Sequence, residues 1–149
     1  MSYPIGYFDC KLDSKGRLMI PSDFKEQMGE QIEEGFVIRP SITDKCLDLY
    51  TRKDWDEIQE KLRSSIGTFN KVHLAAIRRF NDSAKPVKLD ASGRLQIPKS
   101  LIEKGFIKKE IVIASETTKM EIWDKDLYNE AISSIDDDTF LQTLQDLTI

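Results

Sequence analysis

The sequence predicts an α+β fold: two internal ββαββα repeats interleave their strands in a swapped-hairpin β-barrel about a pseudo-twofold, flanked by helices. Three observations predict it. The stretch Leu12-Asp13-Ser14-Lys15-Gly16-Arg17-Leu18-Met19-Ile20-Pro21 returns 77 positions later as Leu89-Asp90-Ala91-Ser92-Gly93-Arg94-Leu95-Gln96-Ile97-Pro98, with seven of ten residues identical. Apolar residues alternate at period two on either side of each turn. Helical stripes of modest length fill the intervals. Units this small cannot each build a large core, and sharing strands in one barrel also removes exposed sheet edges.

Each copy reads as a hairpin running into a helix. Phe8, Cys10 and Leu12 alternate with Tyr7, Asp9 and Lys11, the period of a half-buried strand. Asp-x-x-Gly supplies the turn: Gly16 and Gly93 can take positive φ, while Asp13 and Asp90 can bond the local backbone. The return arm puts Leu18 and Ile20 inward, Arg17 and Met19 outward; Leu95 and Ile97 against Arg94 and Gln96 repeat this. Pro21 ends the first strand and suits the first position of a helix. Both arginines are therefore expected on the polar side of a hairpin tip.

After Pro21, Phe24 and Met28 predict a short helix stopping near Gly29 or Gly35, and Phe36–Ile38 a buried strand ended by Pro40. Residues 41–45 read as a turn and Cys46–Tyr50 as a strand. Thr51 with Asp54 opens a helix in capping-box spacing, striped by Trp55, Ile58, Leu62 and Ile66 and closed by Gly67. Asn70 caps a helix with the apolar line Val72, Ala76 and Phe80. The second half replays the order: hairpin 87–97, a helix over 99–104 with Ser100 and Glu103 as a capping box and Gly105 as a stop, then Ile111–Ile113 and Met120–Trp123. Lys125-Asp126-Leu127 answers Lys53-Asp54-Trp55. Leu127, Ala131 and Ile135 stripe the next helix, and Phe140, Leu141, Leu144 and Leu147 the last. Some helices should cover the barrel and others another subunit. The organisation read from this is a first repeat over 1–69, a connecting helix over 70–84 and a second repeat with terminal helices over 85–149, in one intertwined unit.

Composition bounds the function. With 40% hydrophobic and 32% charged residues, the chain reads as globular, and it has no apolar run long enough to cross a bilayer. The N-terminus lacks a signal-peptide profile, so a cytoplasmic protein is expected. The net charge is −4, but five acids and no base lie between Glu130 and Ile149, leaving 22 bases against 21 acids before them. From Lys85 to Lys109 seven bases face two acids. Cys10 and Cys46 lack disulfide or metal spacing and read as reduced small hydrophobes.

The duplicated Asp-x-x-Gly-Arg-x-x-Ile-Pro, each copy preceded by an alternating strand, resembles the swapped-hairpin units of AbrB-like transcription factors. Two such units in a chain of this length, ending Leu144-Gln145-Asp146-Leu147, resemble the MraZ family over essentially the whole sequence. The resemblance implies a bacterial DNA-binding transcription regulator that forms a homo-oligomeric ring, commonly of eight subunits, associated with the nucleoid. It implies binding to short promoter direct repeats upstream of the division and cell-wall gene cluster, usually as a repressor. It implies also that the tips face DNA.

Arg17 and Arg94 are the expected principal contacts, because a guanidinium fork takes phosphate or the O6/N7 edge of guanine bidentately. Lys11, Lys15 and Lys88 are expected phosphate partners. Asp13, Gly16, Asp90 and Gly93 are expected to brace the turns, since a carboxylate cannot favourably face phosphate. The bland reading of each Asp–Arg pair is a turn fastener that touches nothing else. Lys15 is matched by Ser92, so the first tip should dominate.

Catalysis, cofactor and metal are not expected. A hydrolase using Cys10 and His73 lacks a nucleophile motif and an orienting third group. His73 has no ligand set around it at zinc spacing and reads as an ordinary helix residue. Asp136-Asp137-Asp138 reads as favourable charge at a helix N-terminus. Arg78-Arg79 reads as a solvated face or subunit contact, and Trp55 and Trp123 as core. The remaining alternative is an AbrB-like antitoxin or protein-interaction module working through the C-terminal helices.

Overall fold

In the computed structural model the two arms of each hairpin form no ladder with one another beyond a single bridge next to the turn. The structure describes residues 3–66 and 70–148. β1 (Tyr7–Lys11) pairs antiparallel with β7 (Glu110–Ser115) of the second repeat. β5 (Lys85–Val87) pairs with β3 (Phe36–Pro40) of the first. β2 (Arg17–Met19) and β6 (Arg94–Gln96) pair with each other. Within a hairpin only the single bridges Leu12–Leu18 and Leu89–Leu95 survive. Every turn therefore returns its chain into the other repeat.

β4 (Leu47–Thr51) and β8 (Met120–Asp124) complete a six-stranded sheet of order β1-β7-β8-β4-β3-β5. The expected barrel is not found as a closed one: this sheet is open, and β2–β6 is a separate ribbon. The reason is local. With one bridge per turn, the arms diverge too soon to carry a ladder from the ribbon into the sheet. The register nevertheless maps onto itself when the repeats are exchanged. Leu18 faces Leu95 and Asp48 faces Glu121, while Arg17–Gln96 exchanges with Met19–Arg94 and Leu47–Ile122 with Leu49–Met120.

The core lies between ribbon, sheet and the two short helices that follow the turns. Leu18, Ile38, Leu47, Leu95, Ile113, Met120 and Ile122 have no exposed surface, and Phe24, Ile97 and Leu101 have almost none. α1 (Ser22–Met28) stops at Gly29, and a 3-10 segment (Gly29–Glu34) carries the chain to Gly35, so both expected stops are used. α4 (Lys99–Lys104) follows Pro98 directly. Pro98 occupies the N-cap and no side chain caps the helix, so the Ser100–Glu103 box does not form. Pro21 likewise sits at the N-cap of α1, one step before the expected first helical position.

The longer helices lie outside. α2 (Arg52–Ser65) is capped by Thr51, whose Oγ1 accepts the Asp54 N–H at 3.1 Å. Its counterpart α5 (Lys125–Ser133) is capped by Asp124, which accepts from Leu127. The helix stop expected at Gly67 lies outside the described residues. α3 (Lys71–Asp82) begins at Asn70 as expected, but its inward line is Leu74, Ile77 and Phe80; Val72 and Ala76 are exposed. Phe80 sets that rotation by stacking on Trp55 at 5.4 Å and lying under the Arg39 guanidinium at 4.5 Å. Trp55 is thus half-buried between helices, whereas Trp123 is in the core. Ile135 falls beyond the end of α5, and α6 (Asp137–Asp146) is capped by Asp136 and leaves Phe140, Leu141 and the following Leu147 exposed.

Candidate nucleic-acid interface

Each turn is built around one carboxylate. Asp13 Oδ1 accepts the backbone N–H of Lys15 and of Arg17, both at 2.9 Å, and Oδ2 accepts Arg17 Nε at 2.8 Å. Asp90 repeats this with Ser92 and Arg94 backbone N–H at 2.9 Å and Arg94 Nε at 3.2 Å. Gly16 and Gly93 close the turns at φ 79° and 80°, where an L side chain would be strained. The backbone donations, that of Arg17 to Asp13 and of Arg94 to Asp90 foremost, hold both carboxyls below the usual carboxylate range. Both acids stay ionised at neutral pH, so each arginine keeps a fixed charged partner.

Each turn is also tied to the other repeat. Ile97 N–H donates to Gly16 O at 2.9 Å, and Ile20 N–H donates to Gly93 O at 3.2 Å. The Gln96 amide adds hydrogen bonds to the Lys15 and Gly16 carbonyls at 2.8 and 3.2 Å. The position equivalent to Gln96 is Met19, which leaves the second turn without that clamp.

The ribbon sorts its side chains as alternation requires. Leu18 and Leu95 face the core, and Arg17, Met19, Arg94 and Gln96 face outward. Arg17 stands opposite Gln96 and Arg94 opposite Met19, so both guanidiniums share one face, diagonal across the Leu18–Leu95 pair. Diagonal neighbours in such a ladder are about 7–8 Å apart. The arginine side chains are 24% and 29% exposed, braced but accessible. A pair this exposed adds little stability. Its effect is to aim the fork.

The lysines are spread more widely. Lys15 is exposed on the first turn. Lys11, at the end of β1, is exposed and sits 3.8 Å from Glu110 of β7. Lys88 is exposed, and its stem lies against Gly35. The expected dominance of the first tip loses its basis, because Lys25 of α1 reaches the second turn: a Cβ on Gly93 would lie 2.2 Å from its Nζ. Spacing along the chain could not reveal this, since α1 belongs to the first repeat and only the exchanged pairing brings it there.

A second cluster was equally invisible. On the axis between β4 and β8, Asp48 is buried opposite Glu121 and flanked by Lys119 at 3.8 Å and Arg39 at 4.0 Å. Cys46 Sγ donates to Glu121 at 3.8 Å. Burial raises Asp48 to about 6 and pushes the Cys46 thiol up. The Cys46, Asp48 and Glu121 donor atoms lie within 4.8 Å of one another, close enough to hold a cation. Two basic side chains already answer Asp48, so the geometry reads as an ion-pair network. Burial also pushes the Cys10 thiol up to about 12, the reverse of an activated nucleophile.

Among the described residues no helix is long and apolar enough to cross a membrane. The family model described as "MraZ protein, putative antitoxin-like" matches residues 5–78 and again 81–148. A protein of Flavobacterium psychrophilum named Transcriptional regulator MraZ is 42% identical over 132 residues, covering 89% of this chain and 83% of its own length. One of Christiangramia forsetii with the same name is 40% identical, covering 90% and 86%. One of Clostridium acetobutylicum, also so named, is 35% identical over 148 residues, covering 97% and 99%.

Proposed function

The chain belongs to the MraZ family, and from that premise we propose that it is a sequence-specific DNA-binding regulator of transcription. The single observation that carries this reading is the shared outward face bearing Arg17 and Arg94, each aimed by an aspartate of its own turn. A two-stranded ribbon fits the major groove, and a braced guanidinium suits the two acceptors on the guanine edge. The adjacent carboxylates repel phosphate, so the arginines serve base edges while Lys11, Lys15 and Lys88 take phosphates. In this reading the repeats 1–69 and 85–149, joined through 70–84, work as one unit whose turns Asp13–Arg17 and Asp90–Arg94 form one surface.

The regulator is a cytoplasmic, nucleoid-associated repressor of the bacterial division and cell-wall gene cluster. It assembles into a homo-oligomeric ring of eight through exposed apolar helix faces. Cyclic contacts present the same face in the same sense, which suits direct repeats about 10 bp apart. The role asks for no cofactor, metal or catalytic group. The test is a salt-titrated binding series on the duplex upstream of the protein's own gene and on a random duplex of equal length. A clear preference for the former is expected, and equal affinity for both would refute the reading.

A second reading is favoured by the exposed Phe140, Leu141 and Leu147: an AbrB-like antitoxin or protein-interaction module. Inhibition of a co-encoded toxin, with no preference for the upstream duplex, would support it instead.

A further inference from the structure

We propose that Lys25, carried by α1 of the first repeat, is the phosphate-binding ammonium of the second turn, the counterpart of Lys15 at the first; this rests on the DNA-binding reading above. The repeat offset pairs Lys15 with Ser92 and Lys25 with Ile102. At the first turn, Ile102 of the second repeat covers Gly16, its Cδ1 3.2 Å from where a Cβ would sit. At the second turn the equivalent place is taken by Lys25, with Nζ at 2.2 Å and Cε at 3.1 Å from the corresponding point on Gly93. Beside Lys11 and Lys88, which precede the turns, each turn therefore carries one guanidinium and one further ammonium. The first draws both from its own segment, and the second draws the ammonium from the other repeat.

The placement follows from the backbone. β2 pairs with β6, so the end of β2 lies beside the second turn, where Ile20 N–H donates to Gly93 O at 3.2 Å. Pro21 follows, and its carbonyl accepts the Lys25 N–H at 3.2 Å in the opening turn of α1. Lys25, Lys88 and the turn residues Asp90, Ala91, Ser92 and Gly93 line one cleft, with Glu33 also on its wall. Asp90 within it is already committed to Arg94 and two backbone N–H groups. Two ammonium groups beside a turn whose carboxylate is engaged make a seat for a phosphate oxygen of a duplex whose bases Arg94 reads.

The experiment compares the full chain with Lys25→Met, which keeps the alkyl stem, and Lys25→Arg, which keeps the charge. A third variant adds Ser92→Lys to Lys25→Met, moving the cation to the position that matches Lys15. Affinity is read across a salt series on the duplex upstream of the protein's own gene and on a random duplex. Loss of one phosphate contact lowers the slope of log affinity against log salt by about 0.9. Lys25→Met is expected to show that drop on both duplexes, Lys25→Arg to keep the native slope, and the double variant to recover it. A native slope in Lys25→Met, or a loss that Ser92→Lys does not restore, overturns the assignment of Lys25 while leaving the wider reading intact. A native chain with no salt-dependent duplex binding overturns both.

Discussion

Leu18 faces Leu95 across the β2–β6 ladder, and neither side chain has any exposed surface. The two residues occupy the same place in their repeats and meet where exchange of the repeats maps the ribbon onto itself. Truncating a buried leucine costs about 2–5 kcal/mol, and contacting residues couple by about 0.5–3 kcal/mol. Leu18→Ala and Leu95→Ala should each cost about 3 kcal/mol in urea unfolding, and the double variant should depart from additivity by at least about 0.5 kcal/mol. Strict additivity would mean that the repeats do not share this part of the core.

The repeat, the alternation around each turn and the capped junctions at Thr51 and Asn70 were all legible in the residues. They depend on contacts within a few positions, and local chemistry decides them. Exchange of strands between the repeats follows from their small size, but the partner and register of each strand do not. Nothing near Leu12 says that its strand runs into a ladder with Ile111–Ala114 in particular. The same gap hid Lys25 from the second turn and Asp48 from Glu121. In α3, Val72-Ala76-Phe80 and Leu74-Ile77-Phe80 are equally good helical patterns, and only the Trp55 ring selects between them.

Asp13 accepts three hydrogen bonds from its own turn, and the Arg17 fork depends on one of them. Asp13→Asn keeps an acceptor for the turn while removing a negative charge near the duplex. Affinity for a random duplex should therefore hold or rise, and preference for the upstream duplex should fall. Competition binding with both duplexes measures the ratio. A ratio equal to that of the native chain would show that the carboxylate does not aim the arginine.

Asp48 gives the fold a pH signature of its own. Burial raises its folded-state value to about 6, above the ordinary carboxylate value of 3.8. The folded chain therefore binds this proton before the unfolded chain does, and the contribution to stability grows as pH falls from above 6 toward 4. Asp13, Asp90 and Asp136, all held low, act in the opposite sense at lower pH. Urea unfolding of the native chain and Asp48→Asn between pH 4 and 7 isolates the effect. The native chain should gain on the variant as pH falls through 6, and a difference independent of pH would contradict it.

The exposed Phe140, Leu141 and Leu147 make the terminal helix the first place to look for subunit contact. Leu141→Glu should lower the native mass of the assembly by a whole number of subunits while leaving the helical circular dichroism unchanged. Native mass spectrometry with and without the upstream duplex reports subunit number and DNA stoichiometry together. An unchanged assembly in the variant would place the subunit contact elsewhere.

The most direct measurement compares Arg17→Ala and Arg94→Ala with the native chain on the upstream and random duplexes at one salt concentration. Loss of one bidentate base contact costs about 1–3 kcal/mol of discrimination. Both variants should lose preference for the upstream duplex by comparable factors, about tenfold or more, with thermal unfolding little changed. Native preference in either variant would mean that its guanidinium only fastens a turn, and native preference in both would contradict the account at its centre.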